Sequence, residues 1–462
     1  MNKPTSDDKQ YTTTGLTTGR GGGSAESMQA QRHPLPGPLG PSLVERRETI
    51  PPTDTKGSQP PDRIQVTHRE TGEVLEFEEA RSGIYERAYT DTDAQETRRQ
   101  RYEMKTAAET VLGTGSRLFK CQRARIDKTK DIEVKVSNES GRAFFSGFQA
   151  CGSVWLCAIC GPKITERRRV EVAKAIETAK AQGFKVMLLT LTVPHGMGDD
   201  VRVVLASMKK GWAKTSQGRK AHAMRQATGF IGSIRVLEVT RGENGWHPHF
   251  HALLILDTDM SPHQVEEAWW PLWRDGCMKA GLDSPSREHG ITVQDGAQAA
   301  HYVSKWGLES ELTKGHLKKG KSSLTPWDLM RVMTFGTDHQ VISPELRETL
   351  QRLGIDKDKA RALWIVYAKA FKGQRQLIWS VGLRDVLGLG EEKTDNEVAA
   401  ADPEEAARTV ATVTNEQRIA MIRARAWSDV LVLAEGSPGE IEPYLVSLHC
   451  SNNVKPDMRN VS

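Results

Sequence analysis

Trp246-His247-Pro248-His249-Phe250-His251-Ala252-Leu253-Leu254 is the stretch on which the reading of this chain turns. Successive side chains on a β-strand point to opposite faces, so His249 and His251 share one face while Phe250, Ala252 and Leu254 share the other. Two imidazoles placed in this way have the geometry of metal ligands. Upstream, Ser233-Ile234-Arg235-Val236-Leu237-Glu238-Val239-Thr240 also reads as a strand, and Asn244-Gly245 is a dipeptide that favours a tight hairpin turn. With that pair at the turn, flanked by Glu243 and Trp246, Thr240 falls opposite His249 and Glu238 opposite His251. Opposed Cβ atoms lie about 4.5–5.5 Å apart, so a carboxylate joins the two imidazoles. A slip of one residue, for which Gly242 offers a bulge, would send Glu238 to the other face. The competing reading is a pair of surface histidines on a solvated strand.

Working outward, Lys163 to Gln182 has helical spacing with Val170, Ala173, Ile176 and Ala179 on one face. Lys185 to Val193 reads as a strand, Asp200 to Thr228 as a helix, Pro262 to Ala280 as a helix rich in tryptophan, and Gly290 to Gln294 as a short strand. Asp295 is placed to N-cap a further helix running to about residue 308. The order strand, helix, strand, strand, helix, strand predicts an α+β fold, a ferredoxin-like antiparallel sheet with helices on one face and the histidine strand central. Residues 1–62, rich in Gly, Pro, Ser and Thr, read as a disordered tail, and 63–114 as a charged linker or helical segment. The expected remainder is a zinc-knuckle element and helix over 115–183, the sheet-bearing core over 184–325, a helical C-terminal extension over 326–390, and an acidic linker, terminal helix and tail over 391–462.

Only 37% of the residues are hydrophobic, and the formal charge is +5 at neutral pH. The Lys and Arg residues gather at Arg167 to Arg169, Lys209-Lys210, Lys214, Arg219-Lys220 and Lys314 to Lys321, a pattern that suits polyanion binding and equally suits solvated helix faces. No run of about 18 apolar residues and no apolar signal core are present, so no membrane partner and a cytoplasmic location are expected. Six cysteines are too few for a disulfide scaffold in a chain of this length.

Four of the six, Cys121, Cys151, Cys157 and Cys160, lie close together, and Cys157-Ala158-Ile159-Cys160 is a knuckle that lets two thiolates reach one ion. Four thiolates suit tetrahedral Zn2+ in a structural role. Buried free thiols or a redox pair are the alternatives. Arg167 to Arg169 follow closely and would present positive charge to phosphates. On the helix after Asp295, Gln298, Tyr302 and Lys305 stack at i, i+4 and i+7. A phenol of pKa about 10 ionises only about one part in a thousand at pH 7, a penalty of roughly 4 kcal/mol, so a nucleophilic Tyr302 needs a cation nearby. Lys305 and a metal could supply it. The same helix also reads as ordinary amphipathic packing with Tyr302, Val303 and Trp306 in the core.

Leu189-Thr190-Leu191-Thr192-Val193-Pro194, then Trp246 to His251, then Tyr302-Val303-Ser304-Lys305 resemble the three ordered motifs of the HUH endonucleases, in particular the rolling-circle plasmid replication initiators. The cysteine stretch and Trp379-Ser380-Val381-Gly382-Leu383-Arg384 are similar to that family as well, so the resemblance covers about residues 115–390. It implies that 184–325 is an HUH nuclease core in which His249, His251 and Glu238 hold Mn2+ or Mg2+ at the scissile phosphate. Tyr302 would attack single-stranded origin DNA, leaving a 5′-phosphotyrosyl link and a free 3′-hydroxyl for a host polymerase, with Lys305 steadying the charge. A host helicase is a further implied partner. Trp306 stands where two-tyrosine relatives carry the second tyrosine, so a one-tyrosine enzyme is implied. Gln298 stands where some initiators carry a glutamate, and an amide cannot serve as that base. Asp295 and Glu309 are nearby carboxylates that spacing does not place well.

Three other readings compete. His247, His249 and His251 also match the pattern of histidine-triad nucleotide hydrolases, in which a histidine attacks phosphorus. A non-catalytic zinc-dependent DNA-binding regulator would bind oligonucleotides without cutting them. A transposase or relaxase would share the HUH chemistry. Gly315-His316-Leu317-Lys318-Lys319-Gly320-Lys321-Ser322 fits a phosphate-loop pattern by letter, but polar residues precede it where a buried strand is required, and a basic loop is expected instead.

Overall fold

The computed structural model describes residues 91–304, 323–402 and 406–452, and three strands that precede them. The tail 1–62 and the basic loop Gly315 to Ser322 lie outside the described residues, as do Lys305, Trp306 and Glu309. The strands β1 (Arg63–Thr67), β2 (Val74–Glu79) and β3 (Tyr85–Arg87) form an antiparallel sheet in a unit of their own, Met1–Tyr89. The segment 63–114 thus begins in strands and ends in a helix.

The unit Thr90–Ser462 opens with α1 (Asp91–Leu112), α2 (Arg117–Lys120), β4 (Ile132–Ser137), β5 (Ala143–Ser146) and α3 (Cys160–Ala181). Next come β6 (Lys185–Leu191), α4 (Val201–Thr215), α5 (Gly218–Ala227), β7 (Phe230–Gly242), β8 (Gly245–Leu256), α6 (Pro262–Lys279), β9 (Ile291–Gln294) and α7 (Gly296–Ser304). After residue 322 follow α8 (Pro326–Phe335), α9 (Pro344–Arg352), α10 (Lys357–Phe371), β10 (Leu377–Trp379), α11 (Leu383–Val386) and α12 (Asp395–Ala400). The chain closes with β11 (Ala407–Val413), α13 (Asn415–Ala424), α14 (Trp427–Gly436) and α15 (Ile441–Asn452).

The central sheet has the order β10-β7-β8-β6-β9, every pair antiparallel, with the histidine strand β8 in the middle. The expected succession of strands and helices is the one found, with β10 added at the β7 edge. The single helix expected over Asp200 to Thr228 is two, because Gly218 takes a left-handed φ of +86° and ends the run. Ser261 and Gln264 form a capping box and Pro262 holds the first turn, which fixes the start of α6 where expected.

Helices cover both faces of this sheet, not one. Met187, Leu189, Phe250, Ala252 and Leu254 pack against α4 and α6 through Met208, Val265, Trp269 and Trp273. On the opposite face Val186, Leu188, Val236, Leu253 and Ile255 meet Val172, Ile176 and Ala179 of α3 and Ala299 and Val303 of α7. The physical signal is in the strands: Val186 to Leu189 and Ala252 to Leu256 are buried without alternation, as strands covered on both sides must be. On α3 the buried face runs through Ile164, Arg168, Val172, Ala175, Ile176 and Ala179, and Val170 faces solvent.

A second sheet in this unit, β11-β4-β5, joins segments far apart in sequence: Val413 pairs with Ile132 and Ala407 with Ser137. Its core is Ile132, Val134 and Val136 against Trp427, Val430 and Leu431 of α14. The acidic stretch after Asp395, expected as a linker, carries α12, capped by Thr394 and Glu397, and the expected terminal helix is the pair α13 and α14. No helix among the described residues is long and apolar enough to cross a membrane.

Candidate metal and nucleophile site

The site forms at the hairpin end of β7 and β8. Gly242 pairs with Gly245, so Glu243 and Asn244 make the turn, and Gly245 alone of these carries a left-handed φ, +91°. The register therefore differs by two residues from the sequence-based expectation: Glu238 lies opposite His249, Thr240 opposite His247, and Val236 opposite His251. A shift of two keeps every side chain on its face, so Glu238 still meets both histidines. Its Oε2 is 3.4 Å from His249 Nε2 and 3.6 Å from His251 Nε2.

The outer nitrogens decide what the inner ones offer. His249 Nδ1 lies 3.1 Å from the His247 carbonyl oxygen, which only accepts, so Nδ1 carries the proton and Nε2 of the neutral ring keeps a lone pair. His251 Nδ1 lies 2.9 Å from the Thr190 hydroxyl of β6, a partner that leaves its Nε2 in the same state when Nδ1 donates. Two lone pairs and a carboxylate facing one another repel unless a cation lies among them, and a donor shell of about 2.1 Å radius has tetrahedral edges of about 3.4 Å. The residues therefore fit a divalent ion, and their ligand atoms all lie within 4.8 Å of one another.

Burial pushes the His251 imidazole down to about 4; Glu238 opposes that shift and His249 adds to it. Burial and the neighbouring His249, His195 and His251 take His247 to about 3. For Glu238 burial alone would raise the pKa, but the His249 hydrogen bond, the charges of His251 and His249 and the Tyr302 hydroxyl outweigh it and hold the carboxyl well below its usual range. The imidazolium contribution exists only when the histidines are protonated; at neutral pH the Tyr302 hydroxyl remains as donor. That hydroxyl, on α7, reaches Glu238 Oε1 at 2.5 Å, and its ring centroid is 4.7 Å from that of His251. Asp295 caps α7 as expected, accepting from the Ala297 and Gln298 amides, and this sets the helix at the sheet edge from which Tyr302 reaches in. Lys305 lies outside the described residues.

Sequence reasoning did not single out His195. Its Nε2 lies 2.6 Å from His247 Nδ1 and its Nδ1 3.0 Å from the Asn244 carbonyl, tying the loop after β6 to the hairpin turn. The Pro194-His195-Gly196 tripeptide at the strand end was the available signal.

The four cysteines converge away from this site. Cys121 follows α2, Cys151 follows β5, Cys157 lies just before α3 and Cys160 begins it, so the β4–β5 hairpin fills the long gap and returns the chain to the cluster. The sulfurs lie 3.5 Å (Cys121 to Cys160), 3.7 Å (Cys151 to Cys160) and 3.8 Å (Cys121 to Cys157) apart, and all four residues are buried. A tetrahedral site with Zn–S bonds of about 2.3 Å has edges of about 3.8 Å, so the donor set fits such an ion. Burial pushes the Cys157 thiol up, and thiolates there need a cation. Trp155 and Tyr367 link this cluster to the hairpin: the Tyr367 hydroxyl donates to the Trp155 carbonyl at 2.8 Å while its ring stacks on Trp246 at 5.8 Å. Arg168 does not face outward toward phosphates as expected. It is buried and pairs with Glu171, Asp395 and Glu392, and Arg169 pairs with Glu166.

A protein-family model described as replication protein matches residues 146–280, which span the cysteine knuckle, β6 and the whole histidine hairpin. Among curated proteins, "Protein rep" of Streptomyces lividans is 25% identical over 371 residues, covering 66% of this chain and 80% of the relative. "Neomycin resistance protein" of Streptomyces cyanogenus is 28% identical over 142 residues, covering 25% of this chain and 32% of that protein. No solved structure matches. The chain is thus similar to plasmid replication proteins over its central part and along most of its length, and these matches support the resemblance to rolling-circle plasmid initiators drawn from its motifs.

Proposed function

We propose that this protein initiates rolling-circle replication by nicking and rejoining single-stranded DNA at a replication origin, with Tyr302 as the nucleophile. The observation that carries the reading is the phenolic hydroxyl 2.5 Å from Glu238, whose other oxygen faces His249 and His251. A divalent ion held by those three residues, Mn2+ or Mg2+, would polarise the scissile phosphate. In this reaction the Tyr302 oxygen forms a bond to phosphorus and the bond from phosphorus to the 3′ oxygen breaks. The phenol proton passes to solvent, and the leaving oxygen takes up a proton to become a free 3′-hydroxyl. The chain's own contribution is positioning, which phosphoryl transfer demands above all. Thr190 and the His247 carbonyl hold the two imidazoles, Glu238 holds the phenol, and Asp295 anchors the helix that carries it. Lys305 belongs to the proposal on the strength of the motif alone. The HUH fold type, a structural Zn2+ on the four cysteines, and a host polymerase and helicase as partners complete the reading.

The test incubates the protein with oligonucleotides tiling its replicon's origin, with Mn2+ or Mg2+, and looks for a covalent adduct on a denaturing gel. Adduct from the wild type and none from Tyr302→Phe supports the proposal. Undiminished adduct in that variant refutes it, and binding without adduct at any metal concentration points to a non-catalytic regulator.

A further inference from the structure

On the face of the central sheet opposite the histidines, a cavity of about 180 Å³ lies between β7, β10 and α4. Arg235, Lys209 and Arg375 contribute to its wall together with Gln374, Gln376 and Phe250, and among the described residues no carboxylate lines it. Arg235 is the unusual member. Its guanidinium carbon lies 4.8 Å from the Trp212 ring centroid and 4.4 Å from that of Phe250; those rings stand edge to face with centroids 6.0 Å apart, so the charged group sits in the corner between them, partly shielded from water. Among the described residues it has no ion pair and no hydrogen bond, and burial alone acts on its pKa, taking it down to about 10. It remains a cation at neutral pH. A desolvated cation without a counterion is costly, and the aromatic faces offset only part of that cost. Among the described residues none supplies the counterion.

The surroundings say what kind of anion belongs there. Lys209 is held at the cavity by a hydrogen bond from its ammonium to the Gln374 side-chain oxygen, 2.7 Å, and Arg375 is exposed beside it. From the cavity the cations continue along α4 and α5, where Lys210, Lys214, Arg219 and Lys220 are all exposed. Between Val201 and Ala227 the sequence holds no Asp or Glu at all. A point anion would need only the cavity, whereas a polyanion uses both the cavity and the ridge.

We infer that the Arg235 cavity is a phosphate-binding pocket that seats one backbone phosphate of a DNA strand, which then runs along α4 and α5, on the face of the sheet away from Tyr302. The inference rests on the nucleic-acid reading above, but it concerns binding and not cleavage, so the two fail separately.

The test measures DNA affinity by fluorescence anisotropy, for single strands and duplexes, across a series of salt concentrations. Three proteins are compared with the wild type: Arg235→Gln, the surface double variant Lys209→Ala with Arg375→Ala, and a control of equal charge loss at the exposed pair Lys128→Ala with Lys130→Ala. Each lost phosphate contact should lower the slope of log affinity against log salt by about 0.7 for single strands and about 0.9 for duplex. Arg235→Gln should lose about one contact and the surface pair up to two, while the control keeps the wild-type slope. Should Arg235→Gln fail to fold, as judged by near-UV circular dichroism, the surface pair carries the test. Equal slopes in folded variants and wild type, or equal losses in the control, overturn the inference. So does stabilisation by inorganic phosphate that depends on Arg235 without any change in DNA slope, because the pocket would then take a free small anion. Adduct formation by Tyr302 on a short oligonucleotide is recorded in parallel. Its absence in the wild type would count against the nuclease and leave the binding comparison intact.

Discussion

Removing one cysteine of the cluster should unfold far more than its own neighbourhood. Cys121, Cys151, Cys157 and Cys160 are not a surface appendage: they share one continuous core with Leu118, Trp155 and Ile164 and, through Tyr367 and Trp246, with Phe250 of the histidine strand. Structural zinc sites contribute about 10–16 kcal/mol of apparent binding free energy, an even share of which is about 3 kcal/mol per thiolate. Serine at position 160 should therefore cost at least about 3 kcal/mol. At roughly 2–4 °C per kcal/mol for a unit of a few hundred residues, that lowers the melting temperature by about 6–12 °C. The assay is differential scanning calorimetry of wild type and Cys160→Ser, with and without a chelator, alongside metal analysis by mass spectrometry. One zinc per wild-type chain and a chelator-sensitive melting temperature are expected, with both effects reduced in the variant. A wild type that purifies without zinc and melts at the same temperature in chelator would refute the zinc reasoning and leave four buried thiols.

Other outcomes follow from the same contacts. Thr190→Val keeps the shape of β6 but removes the oxygen beside His251 Nδ1, so metal affinity measured by titration calorimetry should fall about 10–100-fold with the melting temperature nearly unchanged. Wild-type affinity in that variant would show that the hydroxyl does not orient the ring. Histidines 247 and 251 have folded pKa values of about 3 and about 4, below the usual 6.5, so the unfolded chain binds protons more readily. Metal-free protein should thus be most stable above pH 6.5 and lose stability as pH falls toward 4, by up to about 1.4 kcal/mol per pH unit for each histidine. Denaturant melts that are flat over this range in His247→Gln and wild type alike would contradict that sign. Arg384 packs over Trp379 at 4.8 Å and pairs with Glu171 at 2.6 Å, so Arg384→Ala should cost about 1–3 kcal/mol in the same melts, and a neutral result would show the pair to be solvent-screened.

The histidine strand was legible because alternation at period two survives any even shift of register. Glu238 was assigned to the right face although its partner was two residues away from the expected one. The register itself was not legible: Asn244-Gly245 signals a two-residue turn, whereas here Glu243-Asn244 turn and Gly245 takes the left-handed position beside them. Helix α7 was legible through Asp295 and the stacking of Gln298 and Tyr302. The second covered face is written in the unbroken apolar runs of β6 and β8, a pattern that marks burial on both sides. What local pattern could not reveal is pairing across long separations. Nothing in Ala407 to Val413 points to Ile132, and nothing near Arg168 points to Asp395. Those contacts depend on which surfaces the rest of the fold leaves open. His195 belongs to the same class, since its role arises only once the hairpin turn arrives beside it.

The most direct measurement digests the protein after reaction with an origin oligonucleotide and maps the modified peptide by tandem mass spectrometry. A nucleotide phosphate on the Tyr302 oxygen, formed only with a divalent ion and lost in Glu238→Ala, is the expected result. A phosphate found on His247, His249 or His251, or an adduct formed equally well without metal, would contradict the proposal that a phenol beside an imidazole-bound cation performs the cut.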